Sequence, residues 1–411
     1  MSDFYDDLET RDPEVREADL FGRLSGFLAN ARQKAPAWGR HLAEIDPGAV
    51  GSRADMAAIP VFRKERLLDL QSEAPPFGGL TTTAAGDLSR LFMSPGPIYD
   101  PEGRGRDWWG IGRTLFAAGV RPGDIIHNTF SYHLTPAGHM FESGAHALGC
   151  AVIPAGTGNT EMQLQAIAHF RPRGYAGTPD YLKILLDKAA EAGADVSSIA
   201  RGLVGGAALP ASLRQELKDR GVSVSETYGT ADLGLVAYQS GEEPGMIVNE
   251  NLIVEIVRPG SDEPVADGEV GEVVVTRFND DYPLIRFATG DMSAVLAGPS
   301  PCGRTNMRIK GWMGRADQRT KIRGMFVDPK QVNELLSRHR EVGKARLVVG
   351  RENEQDVMHL IVECAEGGEG LADSLADSLR EVTKLRGTVE IVAPGALPND
   401  GKVIADERPI S

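Results

Sequence analysis

The chain reads as an α/β protein. A large N-terminal domain of mainly parallel sheets flanked by helices carries a small β-subdomain, and a small α+β C-terminal domain follows. Three observations predict this. Between residues 107 and 224, short apolar runs alternate with helical stretches of about a dozen residues, as in parallel strands joined by crossover helices. From 251 to 276 the pattern becomes apolar–polar alternation broken at Gly260 and at Asp267-Gly268, which suits antiparallel strands. After residue 317 it changes again, with strands expected at 344–350, 357–363 and 388–392 and helices at 329–339 and 369–385.

A length of 411 residues allows roughly two or three domains. The changes of pattern divide the chain into 1–316 and 317–411, with the β-subdomain at about 245–300. Hydrophobic residues at 41% and charged residues at 25% are ordinary for a soluble globular chain. A net charge of −14 argues against nucleic-acid and anionic-membrane partners, so anionic substrates need a local basic patch. Arg308, Lys310, Arg315, Arg319, Lys321 and Arg323 supply one. Cys150, Cys302 and Cys364 are scattered without metal-ligand spacing. The acidic N-terminus is unlike a signal peptide and no apolar run reaches membrane-spanning length, so a cytoplasmic protein is expected.

In chain order, residues 14–35 carry apolar positions at helical spacing after Pro13, and 46–78 mix short helices with proline turns around Arg63-Lys64-Glu65, which reads as structural. A helix at 107–118, the strand 125–130, a helix at 139–148 and the strand 151–153 open the alternating region. Helices at 160–170, 180–192 and 210–220 alternate with strands at 174–176, 202–204 and 222–224. Ligands of such sheets lie beyond the carboxyl ends of the strands.

Two of those ends carry chemistry-bearing residues: Gly205-Gly206-Ala207-Ala208-Leu209-Pro210, then Glu226-Thr227-Tyr228-Gly229-Thr230-Ala231-Asp232. Further on come Thr289-Gly290-Asp291, a Gly314-Arg315-Ala316-Asp317 turn, the basic run Lys321-Ile322-Arg323-Gly324, a helix opened by Asp328 and Pro329, and Asn399-Asp400-Gly401-Lys402 near the end. A carboxylate after glycine can accept both hydroxyls of a ribose, and a lysine on a late loop can bring its charge to a developing oxyanion. The order and spacing of these motifs, together with the rest of the chain, resemble the phenylacetate-CoA ligase family of adenylate-forming acid–thiol ligases.

The resemblance implies ATP, coenzyme A and Mg²⁺ as cofactors. It would set Gly206, Ala207 and Ala208 against adenine, stack Tyr228 on the base, and have Glu226 accept from its amino group. Thr227, Gly229 and Thr230 would lie along the α-phosphate, with Thr230 acting in catalysis, and Asp232 would hold Mg²⁺. Asp291 and Arg315 would bind the ribose side, and Lys321 and Gly324 would meet the pantetheine. Asp317 would be the hinge of a lid bearing the catalytic Lys402. Tyr132, His133 and Phe141 would line the pocket of an aryl or arylacetic acid. Some relatives place a Cys-Pro-Cys-Gly-Arg-Thr segment at a structural metal; Ser300-Pro301-Cys302 lacks one thiol, so no zinc is expected. A homodimer is a possibility the family allows.

Departures from the pattern matter as much. Where the family has a Ser/Thr/Gly-rich phosphate loop with a lysine, this chain reads Ser94-Pro95-Gly96-Pro97-Ile98-Tyr99-Asp100-Pro101, and the prolines remove N–H donors. Ala231 replaces a hydroxyl residue, and Asp232 replaces a glutamate. The leading expectation is a ligase that activates a carboxylate as an acyl-adenylate and passes the acyl group to CoA. The alternatives are an acyltransferase or thioesterase-like relative without triphosphate chemistry, and a nucleotide- or acyl-CoA-binding module.

Overall fold

The computed structural model describes residues 3–94, 97–207, 209–316, 318, 320–323, 325–352, 355–365 and 370–408. They group into two compact units. One comprises Met1–Val254, Val275–Phe287 and Leu296–Gly311; the other comprises Glu255–Val274, Ala288–Val295 and Trp312–Ser411. The sequence pattern places the break at 317 and keeps a β-subdomain with the larger part; the grouping differs because hydrogen bonds tie the 255–274 segment to C-terminal residues. Asn333 donates to the Pro259 carbonyl. Asn399 accepts from the Val270 amide at 3.3 Å and donates to the Gly268 carbonyl at 3.1 Å.

The first unit is built on an eight-stranded sheet in the order Arg308–Ile309, Met246–Val248, Gly234–Tyr238, Ser223–Thr230, Arg201–Val204, Gly174–Gly177, Ile125–Asn128, Ala151–Pro154. From Ser223–Thr230 onward the pairings are parallel, and before it they are antiparallel. The helices Ala137–Leu148, Thr160–Phe170, Pro179–Ala192 and Ala211–Asp219 are the crossovers. Gly149 and Gly193 stop two of them in the left-handed conformation that costs a glycine least. Leu164, Ile167, Leu182, Leu186 and Leu217 close over Tyr175, Val204 and Val224 as one buried cluster. The helix expected at 107–118 is shorter, Ile111–Ala117, because the Asp107 carboxylate accepts from the Ile111 and Gly112 amides at 2.8 and 2.9 Å and caps it there. Leu252–Val257, Gly271–Arg277 and Leu284–Ser293 are neighbours in a four-stranded sheet with Phe62–Arg63.

In the second unit a four-stranded sheet runs in the order Thr388–Val392, Gln355–Glu363, Ala345–Glu352, Ile404–Asp406, antiparallel at the centre and parallel outside. Helices Pro329–Arg338 and Leu371–Thr383 bury Val332, Leu335, Leu375 and Leu379 against Leu347 and Leu360. The first of these helices starts as the sequence suggests, with the Asp328 amide donating to Gln331 at 2.9 Å. Among the described residues no helix is long and apolar enough to cross a membrane.

The N-terminal segment is anchored electrostatically. Glu9 is fully buried and accepts from Arg113 at 3.0 Å, Arg304 at 2.8 Å and the Tyr238 hydroxyl at 3.0 Å. Removing one partner of such a group leaves the others charged and dry. Glu9→Ala should therefore lower the stability of this unit by about 3–5 kcal/mol in urea unfolding; a loss within experimental error would contradict the pairing.

Candidate active site

Beyond the carboxyl ends of the parallel strands, the segments after 128, 204 and 226 enclose a cavity of about 220 Å³. Ile111, Phe130, Met140 and Phe141 make its apolar wall, and Ser94, Thr135, Thr227 and Thr230 bring hydroxyls. Among the described residues no charged side chain lines it. Phe130 and Phe141 stack at 4.3 Å between ring centroids. Glycine is required where backbones close in: a Cβ on Gly229 would sit 2.4 Å from the Gly234 carbonyl oxygen, and one on Gly205 2.9 Å from Thr227 Cγ2. The Thr230 hydroxyl oxygen accepts from the Leu233 amide at 3.1 Å, which holds the turn that follows.

The sequence-derived site residues divide between the units. Phe141, Gly206, Thr227, Gly229 and Thr230 line the cavity. Tyr132 is held away from the lining, its hydroxyl accepting from Asn128 at 2.8 Å and its ring edge-on to His139 at 5.0 Å. Burial, then the Glu142 charge, raises the Tyr132 phenol above its ordinary range. His133 is exposed and does not line the cavity, since its amide is turned onto the Ser131 hydroxyl at 3.3 Å. Ala207 is exposed and Tyr228 buried. Glu226 is ion-paired with Arg214, although burial pushes its carboxyl upward overall. Ala208, Asp317, Gly324 and the side chain of Lys321 lie outside the described residues.

Asp232 is not a solvent-facing ligand. Its side chain is fully buried, with Oδ2 on Lys64 Nζ at 2.6 Å. Arg277 donates to its carbonyl at 3.2 Å while lying 4.1 Å over the Trp108 ring. Burial depresses the Arg277 pKa. Asp100, from the hairpin Arg90–Ser94 and Ile98–Glu102 that stands where the phosphate loop is expected, is buried beside Asp232 and accepts the Ser94 hydroxyl at 2.9 Å. Sequence reasoning missed Lys64 and Asp100. Lys64 is separated from its partner by 168 positions, and Asp100 sits in a segment that no longer matches the motif.

In the second unit Asp291 Oδ1 accepts from Arg315 at 3.1 Å and from the Trp312 indole at 3.2 Å. Gly290, at φ 75°, lets the guanidinium lie against the backbone; a Cβ there would come within 2.6 Å of Arg315 Nη2. Lys402 is exposed on a loop held by Gln318, whose Nε2 donates to the Gly401 carbonyl at 2.8 Å and whose Oε1 accepts from the Ile404 amide at 2.8 Å. Gln318 is a further residue the sequence did not single out. Gly290→Ala should move Arg315 off Asp291 and weaken AMP binding about tenfold by calorimetry, the worth of one charged hydrogen bond. Unchanged affinity would contradict a ribose role for Asp291.

Residues 110–279 match the AMP-binding enzyme family and 324–408 the AMP-binding enzyme C-terminal domain. The phenylacetate-coenzyme A ligase of Thermus thermophilus is 31% identical over 405 residues, covering 92% of this chain and 90% of that protein. The Escherichia coli phenylacetate-coenzyme A ligase is 28% identical over 426 residues, covering 97% and 95%. A solved 2-hydroxyisobutyryl-CoA ligase in complex with 2-HIB-AMP and CoA is 25% identical at a TM-score of 0.70, covering 99% of this chain and 93% of that one. Such ligases use ATP or AMP and CoA. This chain belongs to the phenylacetate-CoA ligase family of adenylate-forming enzymes and is an AMP-forming acid–CoA ligase.

Proposed function

We propose that the acid is a monocyclic aryl or arylacetic acid. The cavity carries this reading: at about 220 Å³, walled by Phe130, Phe141, Met140 and Ile111 and free of charged side chains, it suits one apolar ring with a short carboxylate arm. An apolar cavity of about 150 Å³ accommodates benzene. A long-chain body exceeds this space, and an amino acid would leave its ammonium unpaired.

In the first half-reaction the substrate carboxylate attacks the ATP α-phosphorus and pyrophosphate leaves. The Lys402 ammonium favours the charge built up in that transition state, and the Thr230 hydroxyl lies along the α-phosphate. Mg²⁺ supplies charge neutralisation on the phosphates when bound. Asp232 is the residue that would hold it, and a buried carboxylate oxygen without a hydrogen-bond partner fits that role. In the second half the lid turns about Asp317, and the Lys321–Gly324 segment meets the pantetheine of CoA. The thiol attacks the acyl carbonyl, AMP leaves and the thioester forms. A homodimer is the assembly we infer from the family.

Two measurements test this. Burying a ring is worth roughly 1.5–3 kcal/mol, so a phenylacetyl sulfamoyl-adenosine analogue should bind at least about tenfold more tightly than its acetyl counterpart; equal affinities would contradict the aryl assignment. Lys402→Ala should slow acyl-adenylate formation about 10²–10³-fold while leaving thioester formation from supplied acyl-adenylate nearly unchanged. Equal slowing of both halves would contradict the lid mechanism.

A further inference from the structure

Among the described residues the Lys402 ammonium has no ion-pair or hydrogen-bond partner. A flexible four-carbon stem with a free end is placed chiefly by its backbone. That backbone is held on both sides by one amide. Gln318 Nε2 donates to the Gly401 carbonyl at 2.8 Å, and Oε1 accepts from the Val403 and Ile404 amides, the latter at 2.8 Å. The Asp400 carboxylate, itself paired with Arg346, accepts from the Lys402 amide at 3.1 Å. Gly401 seats the loop on Met292 and Val270: a Cβ there would come within 2.2 Å of Met292 Cε and 2.4 Å of Val270 Cγ1. Met292 follows Asp291 in the Leu284–Ser293 strand, and its Sδ lies 3.7 Å from Gln318 Nε2.

The chain entering Gln318 is fixed as well. The Ala316 amide donates to the Gly290 carbonyl at 2.7 Å, and the Gln318 amide donates to the Ala316 carbonyl at 2.8 Å. Gln318 thus joins two segments 83 positions apart, the one that lies along the Asp291 strand and the loop that bears Lys402. We propose that Gln318 is the positioning residue for Lys402, tying the lysine loop to the residue just after the hinge so that the two move as one body. An amide suits this task because it offers a donor and an acceptor to backbone groups at once, which neither a carboxylate nor an ammonium does. This rests on the proposed function in that Lys402 acts on acyl-adenylate formation and Asp317 is the hinge.

The test is a double-mutant cycle in the full-length chain. Wild type, Gln318→Leu, Lys402→Ala and the double variant are compared in single-turnover acyl-adenylate formation, with the acid that gives the fastest ATP–pyrophosphate exchange. Thioester formation from supplied acyl-adenylate and CoA is the second readout. Gln318→Leu should slow the first half about 10²-fold, the cost of misplacing a reacting group by about 1 Å, and leave the second nearly unchanged. In the Lys402→Ala background it should slow nothing further, because no ammonium is left to place. Gln318→Glu keeps the shape and the acceptor but loses the donor to Gly401, so it should fall between, and it serves if the leucine variant does not fold. Gln331→Leu controls for loosening of the second unit, since that amide accepts from Asp328 and donates to the Val382 carbonyl at 2.6 Å. It should lower the thermal midpoint without favouring either half. Amide hydrogen exchange in the peptide spanning Val403 and Ile404, read without substrate, should quicken in Gln318→Leu. Unchanged exchange, equal losses in both halves, or a loss that adds to that of Lys402→Ala overturns the positioning role. If Lys402→Ala itself slows both halves equally, the lid reading fails on that variant, while the cycle and the exchange still decide whether Gln318 places the lysine.

Discussion

A carboxylate taken fully out of water has to be paired, and the burial of Asp232 constrains everything around the cavity. Its side-chain partner, Lys64, comes from the entry segment, and its carbonyl is held by Arg277 from the Gly271–Arg277 strand. Arg277 is equally dry and is accommodated by the Trp108 and Trp109 rings and by the Trp108 carbonyl. Three stretches far apart in sequence thus converge on the turn after Thr230, the turn that shapes one wall of the cavity.

On the proposed assignment, the pocket reads its ligand by space. With hydroxyls and glycine backbone as its polar contribution, it discriminates through size and apolar contact, which yields modest ratios per methylene, about 1–3 kcal/mol. Charge is kept elsewhere: at Lys64, Asp232 and Asp100 in the first unit, and at Asp291, Arg315 and Lys402 in the second.

Much of the fold was legible because its signals are local. Thr160–Phe170 and Pro179–Ala192 carry helical apolar spacing, and the latter adds Pro179 at its start and Gly193 at its stop, so their limits need no tertiary information. Thr227, Gly229 and Thr230 stand out by their order after a strand end, and the structure sets them along the cavity. His133 was assigned by its position after a strand end, but the turn of its loop decides where it points, and Ser131 sets that turn. Lys64 lies in a segment that the sequence marks only as structural, and only tertiary contact reveals its partner. Asp100 was hidden because cross-strand pairing, Phe92 opposite Asp100, carries it inward, and no short-range pattern reports that.

The most direct test of the central claim, that this cavity serves acid activation despite the altered phosphate loop, is acid-dependent ATP–pyrophosphate exchange without CoA across aryl, arylacetic and short-chain acids. The account predicts exchange with monocyclic aryl or arylacetic acids and little with acetate. Absence of exchange with every acid, in a chain that still binds AMP, would contradict it.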